Sequence, residues 1–476
     1  MLFNSFEFLA FFGIFLASFF VLPRRTQPVL LLVASYIFYM GWRPAFALLL
    51  AFTTIVDYTT ALVMSGSERT VVRRAAMVTA LTINLGILAT VKYLDFAISN
   101  MVAAAGYFGY SLPQYALNLV LPVGISFYTF QSIGYTLDVY NRGVAAERNF
   151  LTYAQYVAFF PQLVAGPIER AGHMLPQFRK VHLPRRENLS GLWLIGYGLF
   201  KKMCIADTLA PVVAGIYGHP SSFNGSYTLL ATVMFAFQIY CDFSGYSDIA
   251  RGVARLMDFD LMVNFRQPYF STSLTEFWRR WHISLSSWFR DYLYIPLGGS
   301  RGGEGRAIRN TVIVFVLSGV WHGAAWSFII WGAMHGVGLA VERFWRNIVG
   351  EAEAEHARWR SVLGWVWTSA IVLAGWVFFR AGSLDNAMAL FATMRHFGPL
   401  DYGTFKMLNL ASFEMLLLVV NLLILLVVDF HISNRLERLH RLRVRLYLPV
   451  VGGVALMYYI VLFGVFGRVD FIYFQF

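Results

Sequence analysis

Apolar segments long enough to cross a lipid bilayer recur along the whole chain. Residues 446–467 contain no charged side chain, and residues 412–430 contain only Glu414 and Asp429. About twenty apolar residues span the hydrocarbon core as a helix. Only 13% of the residues are charged and 58% are hydrophobic, whereas soluble domains are about 25% charged. The pattern predicts an all-α polytopic membrane protein. It excludes a soluble enzyme, a disordered chain, a coiled coil and an outer-membrane barrel, whose alternating strands give no unbroken apolar runs.

The apolar segments predict about 11–14 membrane-spanning helices in a single membrane domain, residues 1–476. The first apolar run has no positive charge before it and two arginines after it, which is typical of a retained helix rather than a secretory signal. We expect the spans at residues 6–22, 28–50, 51–64, 76–98, 119–137, 151–166, 190–216, 227–254, 308–331, 333–347, 361–379, 412–430 and 446–467.

The charges indicate the orientation of the chain in the membrane. The formal net charge is +12, and its basic residues lie between apolar runs rather than in one patch, so we interpret them as cytoplasmic loops and expect no nucleic-acid partner. Residues 97–118 and 217–226 have no charged residue and are predicted to be external. Residues 167–188 and 431–445 are rich in arginine and are predicted to be cytoplasmic.

Several common chemistries have no support in the sequence. The two cysteines, Cys204 and Cys241, form neither a disulfide framework nor a zinc ligand set, and we expect them to be buried small hydrophobic residues. A phosphate-binding loop, an H-E-x-x-H motif and a G-x-S-x-G elbow are all absent from the sequence. We therefore expect no metal and no permanently bound cofactor.

Residues 255–310 do not fit a simple helical bundle. This segment has eight arginines, five acidic residues and three tryptophans. A solvated loop would not carry so many aromatic residues, and a lipid-facing span would not carry so much charge. The combination predicts re-entrant or interfacial helices, and long ordered connections of this kind are usually functional.

His322 is the most distinctive single residue. It lies in an apolar run and is followed by Gly323. An ionisable group at membrane depth is costly, which favours a functional role such as a general base. The alternative is a histidine that is hydrogen-bonded to a neighbouring helix, and position alone does not choose between them. In a continuous helix, His335 would lie about 220° around the axis from His322, so we interpret His335 as structural or interfacial.

A second group of candidates lies near His282. Arg279, Arg280 and Arg290 could bind the phosphates of a cytoplasmic nucleotide-bearing donor such as a coenzyme A thioester, although His282 alone would suit an interfacial helix. Asp242 and Asp248 follow an apolar run. They could pair with these arginines or could cap and end a helix.

These motifs together resemble the membrane-bound O-acyltransferases, and more narrowly their alginate O-acetyltransferase branch. The segment from Glu276 to His282 and its continuation to Gly299 resemble the family signature, and Trp321-His322-Gly323 resembles the step that carries its characteristic histidine. Three further stretches resemble the narrower branch: Leu121–Gln131, Phe160–Ile168 and Phe471–Phe476.

The resemblance implies a ring of membrane helices around a thin centre, with a central tunnel that donor and acceptor enter from opposite faces. It implies transfer of acetyl from acetyl-coenzyme A to an exopolysaccharide (alginate, cellulose or another glycan) from the bacterial inner membrane. Expected partners are a periplasmic acetyltransferase and the polysaccharide synthase complex. His322 would be the principal catalytic residue and His282 the second. The donor would contact Arg279, Arg280, Arg290, Trp278 and Trp281, with Asp291, Asp242, Asp248 and Trp321 in support.

Two other functions remain open at this point. The D-alanyl transfer branch of the same family shares the motifs but takes its acyl group from a carrier protein. A transporter for an acyl carrier or a lipid-linked sugar would also explain intramembrane histidines, but we find no inverted repeat of the kind that transporters often carry.

Overall fold

All of the regular secondary structure is helical among the residues that a computed structural model describes. These residues are 1–113, 115–349, 358–432, 447–467 and 471–472, and no strand occurs among them. The prediction of an all-α protein is confirmed. The chain divides into two compact units.

The first unit contains residues 1–191 and 253–262. Short 3₁₀ turns at Arg24–Thr26 and Arg186–Ser190 supplement its α-helices. The α-helices are α1 (Phe6–Val21), α2 (Gln27–Met40), α3 (Pro44–Ser65), α4 (Thr70–Tyr107), α5 (Ile125–Tyr140), α6 (Phe150–Ala158), α7 (Phe160–Leu163) and α8 (Ala171–Phe178).

The second unit contains residues 192–252 and 263–476. Its helices before residue 300 are α9 (Gly191–Leu199), α10 (Asp207–Gly218), α11 (Gly225–Leu256), α12 (Leu274–Arg280) and α13 (Ile283–Phe289). Those after residue 300 are α14 (Glu304–His322), α15 (Trp326–Val349), α16 (Arg358–Arg380), α17 (Leu384–Thr393), α18 (Tyr402–Met407), α19 (Ser412–Val427) and α20 (Tyr447–Phe463). Its π-helical turns are Phe200–Ala206, Arg290–Tyr294 and Val428–Ile432, and its 3₁₀ turns are Pro220–Ser222 and Pro268–Phe270.

Five helices among the described residues are long and apolar enough to cross a membrane, and two further apolar segments, Phe6–Val21 and Val451–Phe463, are shorter. A chain with several such helices is a multi-pass membrane protein. The larger number of spans that the sequence suggested stays a prediction. The five candidate spans are Pro44–Ser65, Thr70–Tyr107, Gly225–Leu256, Trp359–Arg380 and Ser412–Phe430.

Several predicted boundaries are wrong. The break expected at residue 332 lies at 323–325, and two further errors have a clear local cause. The break that we expected between residues 50 and 51 lies instead at 41–43, because Pro44 begins α3 and holds Arg43 in an extended conformation. The predicted span 151–166 is interrupted at Phe159, which leaves the helical conformation between α6 and α7. A hydropathy pattern averages over such breaks.

The segment 255–310 consists mainly of short helices and turns. The α-helices α12 and α13, which lie wholly within it, have seven residues each. Neither is long enough to cross a bilayer. Their re-entrant or interfacial placement, and the single domain that we expected, stay predictions. Most of the predicted cytoplasmic segment 431–445 and the last four residues of the terminal motif lie outside the described residues.

Candidate active site

A close helical hairpin positions His322. Helix α14 ends at His322, Gly323 is extended, and α15 begins at Trp326. The two helices approach closely through glycine. A Cβ on Gly319 would lie 2.2 Å from the carbonyl oxygen of Phe328, and one on Gly332 would lie 2.2 Å from that of Phe315. The hairpin therefore requires glycine at this crossing. The position that we predicted for His335 assumed one continuous helix, whereas the chain forms two helices here.

Trp331 lies between His322 and His335. Its ring centroid is 4.9 Å from that of His322 and 5.1 Å from that of His335. Both histidines are buried, and the Trp278 ring also packs on His335, with centroids 5.2 Å apart. The expectation that His322 and His335 lie on different faces of one continuous helix is thus wrong, because both rings pack against Trp331. The structural role assigned to His335 stays a prediction.

Asn264 holds the ring of His282 in place. His282 lies between α12 and α13 with a left-handed φ of 45°, a conformation that few non-glycine residues adopt. Its Nδ1 is 3.2 Å from Oδ1 of Asn264, and the same oxygen accepts hydrogen bonds from the backbone and side chain of Ser284. Because an amide oxygen only accepts, Nδ1 carries the proton and Nε2 the lone pair.

Trp321 brings the two candidate catalytic histidines together. Its ring centroid is 6.2 Å from that of His282 and 4.9 Å from that of His322. On its other side His282 packs edge-on against Phe243, with centroids 4.7 Å apart. Residues 40 positions apart in the sequence thus form one buried cluster of imidazole and aromatic rings.

The three arginines predicted to bind the donor differ in their surroundings. Arg280 pairs with Glu276 at 2.6 Å, and Arg290 is mainly exposed and pairs with the neighbouring Asp291 at 2.8 Å. Arg279 is exposed and makes no ion pair with the described residues. The guanidinium groups of Arg279 and Arg290 are exposed and accessible to a phosphate, although Arg290 also contacts Asp291, whereas Arg280 is less exposed and pairs with Glu276.

The two predicted donor-binding tryptophans are packed in the protein core. Trp278 packs against Phe315 and Trp331, with centroids 5.0 and 5.7 Å away. Trp281 packs against Phe265 and Trp376, each with centroids 5.0 Å away. Both are buried. Their contact with a donor stays a prediction.

The predicted alternatives for Asp242 and Asp248 are both wrong. Helix α11 continues through them to Leu256, so they do not end a helix. Neither pairs with the predicted arginines: Asp242 lies 2.7 Å from Nζ of Lys202, and Asp248 lies 2.6 Å from Nζ of Lys201. Asp242 also accepts a hydrogen bond of 2.7 Å from the backbone of Ile472. The two carboxylates thus join α11 to the π-helical turn Phe200–Ala206, and Asp242 also joins it to the chain at Ile472.

Sequence analysis missed several polar residues near Asp242 and Asp248. Lys202 also lies 2.8 Å from Asp207, and the Lys201 ammonium lies 4.7 Å from the ring centroid of Tyr197. Asp429 accepts hydrogen bonds from two buried tyrosines, Tyr197 and Tyr240. The signal was available, since two adjacent lysines within the predicted span 190–216 are as unusual as His322.

Comparison with known proteins identifies the family. The model of the membrane-bound O-acyltransferase family matches residues 141–381, a range that contains the histidine cluster. A probable alginate O-acetylase AlgI of Azotobacter vinelandii is 40% identical over 416 residues, which cover 87% of this chain and 82% of the relative. This chain belongs to the membrane-bound O-acyltransferase family. It is therefore an enzyme of acyl transfer.

Other relatives of this O-acyltransferase include proteins named for different polymers. A probable alginate O-acetylase AlgI of Pseudomonas aeruginosa is 39% identical over 87% of this chain and 78% of the relative. A peptidoglycan O-acetyltransferase of Helicobacter pylori is 34% identical over 76% of this chain and 73% of the relative. The predicted family resemblance is confirmed.

Proposed function

We propose that this O-acyltransferase takes acetyl from acetyl-coenzyme A at the cytoplasmic face and passes it across the inner membrane for O-acetylation of an exopolysaccharide. The names of its relatives support acetyl as the acyl group. One observation carries the assignment of the site: two buried histidines, His282 and His322, flank the ring of Trp321.

The chemistry of the reaction needs one positioned base. The oxygen of an acceptor hydroxyl attacks the thioester carbonyl carbon, a C–O bond forms, the C–S bond breaks, and the thiolate leaves. An imidazole takes the hydroxyl proton and later gives a proton to the thiolate, so that the imidazole is neutral again at the end of the reaction. Such general base catalysis contributes about 10²–10⁴-fold to the rate. His322 is the proposed base, because it ends α14 beside an extended glycine rather than inside a helix.

His282 has a complementary role in this proposal. Oδ1 of Asn264 accepts a hydrogen bond from the N–H of Nδ1, so Nε2 carries the lone pair that can take part in proton transfer. The left-handed backbone at His282 supports a functional role, since strained conformations cluster at functional sites. His282 therefore orients the acceptor or the thioester next to His322.

The donor site is proposed to include Arg279 and Arg290, whose exposed guanidinium groups can bind the phosphates of coenzyme A. Hydrogen bonds to charged groups contribute about 1.5–3 kcal/mol each. Loss of one such contact weakens binding by about tenfold to a hundredfold. Arg280 is proposed to stabilise α12 through Glu276 instead.

The acceptor side is proposed to work with a periplasmic acetyltransferase that completes delivery to the sugar and with the polysaccharide synthase complex. The higher identity and coverage of the alginate relatives favour an alginate-like polymer.

The first experiment measures acetylation by membranes that contain the protein with its polymer and partner proteins, using labelled acetyl-coenzyme A. We expect His322→Gln to lower acetylation by at least 10²-fold at matched expression. His335→Gln is the matched control, because it removes a second buried imidazole from the same hairpin, and it should retain much more activity. Equal activity of His322→Gln and the parent protein would contradict the role of His322.

The second experiment tests the donor. Added acetyl-coenzyme A should raise the midpoint of thermal unfolding of the parent protein and of Arg280→Gln. It should raise the midpoint of Arg279→Gln much less. A carrier protein that bears D-alanine should give no stabilisation. Stabilisation by the charged carrier alone would instead favour D-alanyl transfer, and movement of an acyl carrier or lipid-linked sugar without a new ester would favour transport.

A further inference from the structure

A carboxylate lies deep within a candidate membrane span of the first unit. Asp57 is eight residues before the end of α3, which places it about 12 Å from the nearer end of that helix. Its side chain is 0% exposed. Ionisable residues at this depth are rare and costly, and they are usually functional.

The neighbours of Asp57 are polar but neutral. Nδ2 of Asn84, on α4, donates to Oδ1 of Asp57 at 2.7 Å and to the carbonyl of Ala80 at 3.0 Å. The hydroxyl of Ser132, on α5, lies beside the Asp57 carboxyl and the Tyr153 phenol of α6. Four helices therefore contribute oxygen atoms to one buried cluster, which we call the Asp57 cluster: Asp57, Asn84, Ser132 and Tyr153.

Every member of the Asp57 cluster has a buried oxygen that makes no well-aligned hydrogen bond with the described residues, although the Ser132 hydroxyl lies close enough to Asp57 and Tyr153 to interact with both. These atoms are Asp57 Oδ2, Asn84 Oδ1, Ser132 Oγ and Tyr153 OH, and Thr136 Oγ1 is in the same state one helical turn beyond Ser132. The carboxylate and amide oxygens can only accept, so they need a donor or a cation. A buried polar atom that is left without a partner is destabilising.

No cationic side chain of the described part of the chain pairs with Asp57. Arg73, the buried arginine of α4, is engaged elsewhere, because its guanidinium donates to the carbonyls of Met64, Val139 and Tyr140. An isolated carboxylate in an apolar interior is too costly to persist. Asp57 must therefore bind a proton or an ion.

We propose that the Asp57 cluster binds a monovalent metal cation, with sodium as the probe. An all-oxygen set with one carboxylate suits a hard cation. One negative charge is neutralised by a monovalent ion, whereas a divalent ion would leave a net positive charge at membrane depth. The bound ion links α3, α4, α5 and α6. This site is separate from the proposed acyl-transfer chemistry and does not depend on it.

The test compares thermal unfolding of the purified full-length protein in NaCl with that in N-methyl-D-glucamine chloride at equal ionic strength. Ligand that binds only the folded state raises its stability by mass action. We expect saturating sodium to raise the midpoint by about 2–4 °C. An equal shift in KCl would support the same monovalent site with low selectivity. No shift in either salt would overturn the proposal, because Asp57 would then hold a proton.

Variants distinguish this site from a general salt effect. Asp57→Asn should be at least as stable as the parent without sodium and should lose the sodium response. Ser132→Ala, which keeps the carboxylate, should need about tenfold more sodium for the same shift. Thr54→Val is the matched control on α3, because the Thr54 hydroxyl is already bonded to Leu50 at 2.7 Å, and it should respond as the parent does. A full response in Asp57→Asn, or in Ser132→Ala if Asp57→Asn does not fold, would refute the site.

Discussion

His282 and His322 are held in different ways. His282 is fixed through its Nδ1 by Asn264, on a strained backbone between two short helices. His322 ends a long helix, and its ring packs against Trp321, Trp331 and Phe379 with centroids 4.9–5.1 Å away. A polar contact sets the tautomer of the first imidazole, whereas aromatic packing sets the position of the second. The two residues should therefore respond differently to changes in their neighbours.

Asn264→Ala removes the acceptor that holds His282, so the ring can rotate and change tautomer. We expect kcat to fall by about tenfold or more, since orientation is part of the benefit of acid–base catalysis, with a change in the pH profile and little change in KM. Asn264→Asp keeps the acceptor and should recover part of the activity. Kinetic measurement of the three proteins over a range of pH provides the check.

Asn421→Ala is the control for Asn264. Asn421 is also buried, donates to the Cys204 carbonyl at 3.0 Å and accepts from the Tyr459 hydroxyl at 2.8 Å, so its loss should reduce stability without altering the pH profile. If both alanine variants change the profile equally, Asn264 has no positioning role.

At the scale of elements, the crossing of α14 and α15 decides where His322 lies. The helices meet backbone to backbone at Gly319 and Gly332, which leaves no space for a side chain. One tryptophan of each helix, Trp321 of α14 and Trp331 of α15, then packs against His322. A small residue at the crossing is therefore as important for the site as the histidine itself.

Gly319→Ala should destabilise the protein and lower activity, because its Cβ would overlap the Phe328 carbonyl at 2.2 Å. Overpacking of this kind costs about 1–3 kcal/mol. Gly305→Ala is the matched control on the same helix, since nothing lies within 4 Å of its Cβ. Replacing glycine by alanine there should be neutral or stabilise the helix by about 0.5–1 kcal/mol. Thermal unfolding and acetylation of both variants test this, and identical behaviour would argue against a tight crossing.

At the scale of the whole molecule, charge is distributed in two ways. Exposed basic residues occupy the connections, where they are expected to set the orientation in the membrane. Some buried charges occur in compensated groups, such as Lys202 with Asp207 and Asp242, whereas the buried carboxyl of Asp57 has no cationic side-chain partner among the described residues. A buried charge pair costs desolvation energy, and removing one partner typically costs about 3–5 kcal/mol because the other is left uncompensated.

Single cysteines can test the predicted orientation, because both native cysteines are buried and should react slowly. Ser111→Cys and Ser221→Cys, at exposed positions of the predicted external segments, should react with an impermeant maleimide on intact spheroplasts. Lys180→Cys, at an exposed position of a predicted cytoplasmic segment, should react only after permeabilisation. The reverse pattern would invert the proposed topology.

The amino-acid sequence alone was enough to predict the helical membrane class, the family and the chemical candidates, since apolar length and short motifs are local properties. It also suggested His322 and His282 as candidate catalytic residues, because each stands out from its immediate neighbours. It did not predict that Trp321 and Trp331 would bring His282, His322 and His335 together, or that Asp242 and Asp248 would pair with lysines. The contacts of Trp321 with His282 and of Lys201 with Asp248 join residues 39 and 47 positions apart. They depend on how helices cross, and the close approach at Gly319 and Gly332 is visible only once the two helices are packed against each other.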